Sequence, residues 1–209
     1  MRLLMLVAVA MLACGGCGQA GKPAGKTQDA SITFSDRAPG VDAQVDKQLL
    51  AEVNALPRRS RQIRFLIGLL PAQDAKQKTL TPRQADAMYL LGTTRLAGVI
   101  PILIDHLEFA NGESEVDFPA EKALRLVGER AVEPLVRSLQ TGSARRTSIA
   151  IRTLADIKGT PFTPFAEEVI HRNDLILSAD TISDLLLFAR ARDALNHEPG
   201  QQVAMRGRS

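Results

Sequence analysis

A proline context that recurs about every thirty residues is the feature that most constrains how this 209-residue chain can fold. Pro101, Pro134 and Pro164 stand 33 and 30 residues apart, and a short apolar stripe with helical spacing precedes each of them. The stripes in matching register are Ala87, Met88 and Leu91, then Ala120, Ala123, Leu124 and Val127, then Ala150, Leu154 and Ile157. The pattern predicts one structural unit that is used several times in a row.

A second apolar stripe follows each proline, so each unit consists of two predicted helices. These second stripes are Leu103, Ile104 and Leu107, then Leu135, Val136 and Leu139, then Ala166, Val169 and Ile170. Proline is tolerated in the first turn of the second helix because N–H groups there have no intrahelical acceptor. The first helix is expected to end at Gly92, Gly128 or Gly159, where glycine permits a positive φ. Since neither helix can bury its stripe alone, the pairs are expected to stack.

This pattern resembles the HEAT repeat, in particular the short bacterial variety shared with phycobilisome lyases. The best copy spans residues 116–139, where Ala123-Leu124, Val127-Gly128 and the run over 131–136 stand as in that family. The copy at 148–170 departs from it at Thr153 and Lys158, and the copy at 81–107 has three extra residues in its turn. The resemblance covers residues 81–170 and implies a solenoid fold, but it does not specify a function.

Flanking segments are expected to complete the stack. An earlier helix pair is predicted over 42–55 and 58–70, and a C-terminal cap helix over 178–195 with Ser178 as its N-cap. The cap helix is expected to face the stack with Ile182, Leu185, Leu186 and Ala189. Aromatic residues make up only 4% of the chain, which disfavours a β-sandwich or a β-barrel. We therefore predict an all-α fold, an α-solenoid of about three to four stacked helix pairs over 41–195, with a disordered tail over 196–209.

The first seventeen residues indicate the destination of the chain. One arginine followed by an apolar run to Ala13 predicts a signal peptide over 1–13, and this run is too short to span a bilayer. Its end, Met11-Leu12-Ala13-Cys14, resembles a bacterial lipoprotein signal, which implies cleavage after Ala13 and lipidation of Cys14. Lipidation at Cys17, secretion without lipid, and a Cys14–Cys17 redox pair are the alternatives. The expected location is the cell envelope, and Gly15 favours the outer membrane if the cell has two.

A flexible tether is predicted between the lipid and the folded body. Residues 14–40 hold six of the fifteen glycines, and Ile32 and Phe34 are their only sizeable apolar side chains. So little apolar surface cannot offset the entropy that ordering the backbone would cost. We therefore expect a spacer of the Gly/polar type that ends near residue 40.

No assembled reactive group is apparent in the sequence. A phosphate-binding loop, a G-x-S-x-G elbow and an H-E-x-x-H helix are all absent. His106 is interpreted as a solvated surface residue, and His171 as a residue that favours a helix C-terminus. Glu113, Glu115 and Asp117 lack the pattern of a calcium loop. We therefore expect no catalytic residue, metal or cofactor.

Arg145, Arg146 and Arg152 are the candidate protein-binding residues, because basic side chains on exposed helix positions suit an acidic partner. A solvated basic face and a contact with an anionic membrane or wall surface are the alternatives for these arginines. A nucleic-acid partner is not expected, since no aromatic residues accompany the basic groups for base stacking and the export signal removes the chain from most nucleic acid. The net charge of +3 neither favours nor excludes a nucleic-acid partner.

The leading hypothesis from these patterns is a membrane-anchored lipoprotein that acts as a non-catalytic scaffold for a protein partner. The alternatives are an accessory or lyase-like enzyme subunit and a passive structural lipoprotein of the envelope. Phycobilisome lyases act on bilins in the cytoplasm, which the signal peptide contradicts. A deep pocket lined by several ionisable groups beside the cap helix would favour an enzyme, whereas a shallow groove would favour a scaffold.

Overall fold

The computed structural model describes residues 29–35, 45–112 and 117–197. The predicted signal peptide, Cys14, Cys17, most of the tether and residues 198–209 of the predicted tail lie outside these ranges. The helices are α1 Lys47–Asn54, α2 Arg59–Leu69, α3 Pro82–Thr93, α4 Ile100–Asp105, α5 Pro119–Val127, α6 Val132–Ser138, α7 Ala144–Lys158, α8 Thr163–Ile170 and α9 Ala179–His197, and short 3₁₀ turns precede α4 and α6. The chain is mostly helical, as expected for the all-α class.

The described residues contain one pair of strands, which forms a short parallel β-bridge. Strand β1 is Thr79–Leu80 and strand β2 is Ala110–Asn111. Thr79 pairs with Ala110, and Leu80 pairs with Asn111. The bridge joins the loop before α3 to the loop before α5. Each of these loops precedes the first helix of a predicted unit.

Local sequence accounts for where the helices begin. Thr81 and Gln84 form a reciprocal capping box at α3, and Pro82 occupies its first turn. Pro101 and Pro164 lie in the first turns of α4 and α8, as predicted. The Ser178 hydroxyl accepts a hydrogen bond of 3.1 Å from the backbone N–H of Thr181, which confirms Ser178 as the N-cap of α9. That helix runs two residues past its predicted end.

Two of the three predicted helix-closing glycines have that role. Gly128 and Gly159 follow α5 and α7 with φ of 73° and 74°. The prediction for Gly92 is wrong, because α3 continues through it and the residue with positive φ after α3 is Arg95, at 50°. A Cβ atom built on Gly92 would lie 2.6 Å from the Cα and the carbonyl oxygen of Ala123. Glycine is needed here so that α3 and α5 can approach closely.

The first helices of the predicted units contact one another in chain order. Helix α3 contacts α5, α5 contacts α7, and α7 contacts α9. The second helices α4, α6 and α8 pack against the first helix of the following unit, namely α5, α7 and α9. Leucines at one repeated position are fully buried in this layer, and they are Leu91, Leu124, Leu154 and Leu185. The core is therefore continuous from one unit to the next.

Residues 29–35 correct the predicted tether. Phe34 is 6% exposed and Ile32 is half-buried against the core. The side-chain amide of Gln62 donates to the carbonyl oxygen of Ile32 and accepts from its N–H, both at 2.8 Å. Asn54 makes the same pair of bonds to Phe34, at 2.9 and 3.0 Å. The flexible spacer predicted over 14–40 therefore does not include this segment, which packs on α1 and α2.

The prediction that His106 is a solvated surface residue is wrong, because its side chain is buried. Its exposure is 6%. Its Nδ1 lies 2.7 Å from the carbonyl oxygen of Ile102, and its Nε2 lies 2.9 Å from that of Pro71. It thereby fixes the segment after α2 to α4, which is a structural role. His171 is exposed at the C-terminus of α8, as expected.

The close α3–α5 contact predicts opposite effects for two glycine substitutions. Gly92→Ala should destabilise the protein by about 1–3 kcal/mol, because the new methyl group would overlap the Ala123 backbone. Gly68→Ala in α2 meets no atom within 4 Å and should stabilise by about 0.5–1 kcal/mol, since alanine is the better helix former. Urea unfolding followed by circular dichroism measures both. Equal effects of the two variants would contradict the contact.

Candidate functional site

Two of the three predicted binding arginines form ion pairs within the helix stack. The guanidinium of Arg152 donates to both carboxylate oxygens of Glu121, with Nε 2.9 Å from Oε1. The Glu121 side chain is only 7% exposed. Arg146 Nη2 lies 3.0 Å from Asp105 Oδ1. These arginines join α7 to α5 and to α4, so their contacts hold neighbouring units together.

Arg145 differs from Arg146 and Arg152 in its contacts. It is exposed, and no ion pair to it is found among the described residues. Its guanidinium carbon lies 5.5 Å from the centroid of the buried Phe118 ring, and that of Arg152 lies 5.4 Å from it. The cation–π contact orients Arg145 but leaves its N–H donors available. Of the three, Arg145 is the arginine that an outside partner could still use.

The same kind of bridge recurs along the layer of first helices. Asp156 of α7 accepts from Arg125 of α5 and from Arg192 of α9, each at 2.8 Å. Asp193 of α9 accepts from the backbone N–H groups of Phe162 and Thr163, at 2.7 and 2.8 Å. It thus satisfies donors at the start of α8 that have no intrahelical acceptor. These polar contacts fix α9 against α7 and α8.

The second helices carry an exposed charge network of their own. Hydrogen bonds from Arg172 and then Arg137 lower the pKa of Glu133 to about 2. Arg172 also contacts Asp174, with Nη2 2.7 Å from Oδ2. Each charge in this network has an opposite partner within the chain, so it connects α6 to the segment after α8.

An open groove runs between α7 and α9. Its volume is about 290 Å³, and its lining residues are Ser148, Ile151, Asp184, Leu187 and Phe188. Arg145 lies one helical turn before Ser148 on α7, and is therefore close to one end of this groove. The groove combines an apolar surface with a single ionisable lining group, Asp184.

The large hydrophobic side chains that stay exposed in the described residues are concentrated at this end of the chain. Leu187 is 63% exposed, Leu195 is 77% exposed, and Ile176, just before α9, is 85% exposed. Four residues of α9 were predicted to face the stack. Leu185 and Ala189 are buried as predicted, and Ile182 and Leu186 are half-buried. That Leu187 and Leu195 of α9 stay exposed was not predicted from the sequence. Leu187, Ala191 and Leu195 recur at intervals of four residues, which is a helical spacing visible in the sequence.

Among the described residues, no cluster of histidine, cysteine, aspartate or glutamate is arranged to hold a metal ion. None of the helices in these ranges is long and apolar enough to cross a membrane. Comparisons of the chain with protein-family models, curated proteins and solved structures found no match. Function is therefore inferred from the residues and their geometry.

The contacts of the arginines predict different costs for two alanine variants. Arg152→Ala should destabilise the protein by about 1–3 kcal/mol, because Glu121 would keep a nearly buried charge without its partner. Arg145→Ala removes only an exposed cation–π contact and should cost less than about 1 kcal/mol. Thermal and urea unfolding of both variants test this. A matched Glu121→Gln/Arg152→Ala double variant should recover part of the loss.

Proposed function

We propose that this chain is a lipid-anchored envelope protein whose helical body is a HEAT-like α-solenoid, and that it acts as a non-catalytic docking platform for a protein partner. The partner would bind across α7 and α9, in the groove next to Leu187. The observation that carries this proposal is that Leu187 and Leu195 stay exposed on one side of α9, with Leu187 lining the groove, since clustered exposed apolar side chains are a feature of interaction sites.

The solenoid part of the proposal is supported by how contacts repeat along the chain. First helices follow one another in sequence order, and their buried leucines recur every 30 to 33 residues. The ion pairs recur with the same spacing, because Arg125–Asp156 and Glu121–Arg152 each join residues 31 apart. Contacts of this period are typical of stacked repeats, in which each unit touches its neighbours.

The composition of the groove favours a scaffold over a lyase-like or accessory enzyme. General acid–base or nucleophilic chemistry needs several polar groups in mutual contact. Three of the five lining side chains of the groove are apolar, Ser148 is uncharged, and Asp184 is the ionisable one. The arginines that could have supplied more charge, Arg146 and Arg152, are paired inside the stack.

The charge distribution along α9 specifies the chemistry of the partner. Asp180 and Asp184 are exposed on the side of α9 that also carries Leu187 and Leu195. A complementary surface is an amphipathic protein segment with apolar side chains followed by lysine or arginine. Arg145, on α7 near one end of the groove, would donate hydrogen bonds to an acidic side chain of that segment.

A photocrosslinking residue at position 187 tests the docking face in cells. Placed at 187 or 195, it should give a discrete crosslinked band, whereas the same residue at the exposed Arg64 position of α2 should not. Leu187→Lys, combined with the crosslinker at 195, should remove that band, because docking would bury the charged lysine. The free energy of unfolding of the Leu187→Lys variant should change by less than about 0.5 kcal/mol, since this side chain is exposed in the unbound protein. Crosslinks of equal strength from position 64 would contradict the proposal.

Lipid attachment is tested separately through Cys14. Wild-type chain should incorporate radiolabelled palmitate and sediment with membranes, because two or more acyl chains give lasting anchoring. Cys14→Ser should lose both properties, and Cys17→Ser should keep them. Labelling that persists in Cys14→Ser and disappears in Cys17→Ser would move the anchor to Cys17.

A further inference from the structure

A small polar cavity lies between α3, α5 and the β-bridge, on elements other than those that form the α7–α9 groove. Its volume is about 60 Å³, which is room for a group of a few non-hydrogen atoms. Its lining residues are Ala85, Asp86, Tyr89, Asn111, Asp117, Pro119 and Lys122. In the sequence, Asp117 stands out only as one of three acidic residues, with Glu113 and Glu115, that lack the pattern of a calcium loop.

Tyr89 is the unexplained group in this cavity. The residue is 5% exposed, and its hydroxyl is buried without a hydrogen-bond partner among the described residues. Buried hydroxyl groups in folded proteins nearly always have a partner. Burial also raises the pKa of the phenol, so the neutral hydroxyl both donates and accepts. A water molecule, a ligand or a residue outside the described ranges therefore has to satisfy it.

The other polar side chains of the cavity provide acceptors. Lys122 Nζ lies 2.7 Å from Asp117 Oδ1, so this lysine already has its counter-charge. Asn111 donates its amide to Asp117 Oδ2 at 3.1 Å, which leaves its carbonyl oxygen as an acceptor. Asp86 accepts from the backbone N–H of Asp46 at 3.0 Å and has no cationic partner in the described residues. Burial, and then the nearby Asp46 carboxylate, raise the pKa of Asp86.

We propose that this cavity binds a primary ammonium group. The Asp86 carboxylate would balance its charge, and the oxygens of Asn111 and Tyr89 would accept its remaining N–H donors. An anion is disfavoured because two carboxylates line the site and its lysine is paired. The ammonium group could belong to a free small amine or to a lysine side chain of a polypeptide.

The composition of the chain supplies a direct probe, because Tyr89 is its one tyrosine and it has no tryptophan. Tyrosine fluorescence of the full-length protein therefore reports on this cavity alone. Methylammonium chloride and acetyl-lysine amide represent the two sources of the ammonium group. Sodium chloride and tetramethylammonium chloride at equal ionic strength serve as controls, since neither cation donates a hydrogen bond.

We expect methylammonium to change the fluorescence saturably, with a dissociation constant in the millimolar range, because a ligand of so few atoms makes few contacts. Saturation by acetyl-lysine amide as well would assign the site to a lysine side chain, and its failure to saturate would assign it to a free amine. Absence of saturation by both amines, or an equal response to tetramethylammonium, would overturn the proposal.

Two aspartate variants make the test specific. Asp86→Asn should weaken methylammonium binding at least tenfold, while its amide oxygen can still accept from the Asp46 N–H and preserve the fold. Asp74→Asn, at an exposed loop position, should bind like the wild type. Melting curves of both variants establish that they are folded. Unchanged affinity in a folded Asp86→Asn variant would refute the assignment.

Discussion

The close contact between α3 and α5, made where Gly92 faces Ala123, is the constraint on which the arrangement of the later helices depends. Without a side chain on Gly92 the two helix backbones approach each other directly. Helix α5 in turn contacts α7, and α7 contacts α9. Asp156 then bridges Arg125 of α5 and Arg192 of α9, which fixes three successive helices by one carboxylate. The α7–α9 groove is therefore connected to the Gly92 contact through a continuous series of packed helices.

The repeat could be predicted from the sequence because it consists of periodic apolar residues, and periodicity is visible without a structure. The buried leucines at 91, 124 and 154 follow directly from it. The role of Gly92 could not be derived in this way, since a glycine that closes a helix and a glycine that permits close packing are the same residue in sequence. The packed segment at Phe34 was also missed, because its partners Gln62 and Asn54 lie 20 to 30 residues away and bond through side-chain amides.

The predicted binding site was harder to assign for a related reason. Exposed and ion-paired arginines have the same local sequence, so Arg145, Arg146 and Arg152 could not be separated until their partners were located. The repeat does contain a usable signal, because Glu121 and Arg152 are 31 residues apart, close to one repeat length. Opposite charges at that interval predict a bridge between units. No comparable signal exists for Tyr89, because only the folded structure shows that its hydroxyl has no hydrogen-bond partner among the described residues.

Helix α9 has apolar side chains both inside and outside the core. Leu185 is fully buried like Leu124 and Leu154, whereas Leu187 and Leu195 remain largely exposed in the described residues. Burying such side chains contributes roughly 25 cal/mol for each Å² of apolar area, so the proposed partner would gain affinity from the same interaction that buries the leucines of the core. Asp184 would orient that partner, since it repels acidic side chains. In the proposed function, the paired arginines would contribute rigidity and the apolar side chains would supply the affinity.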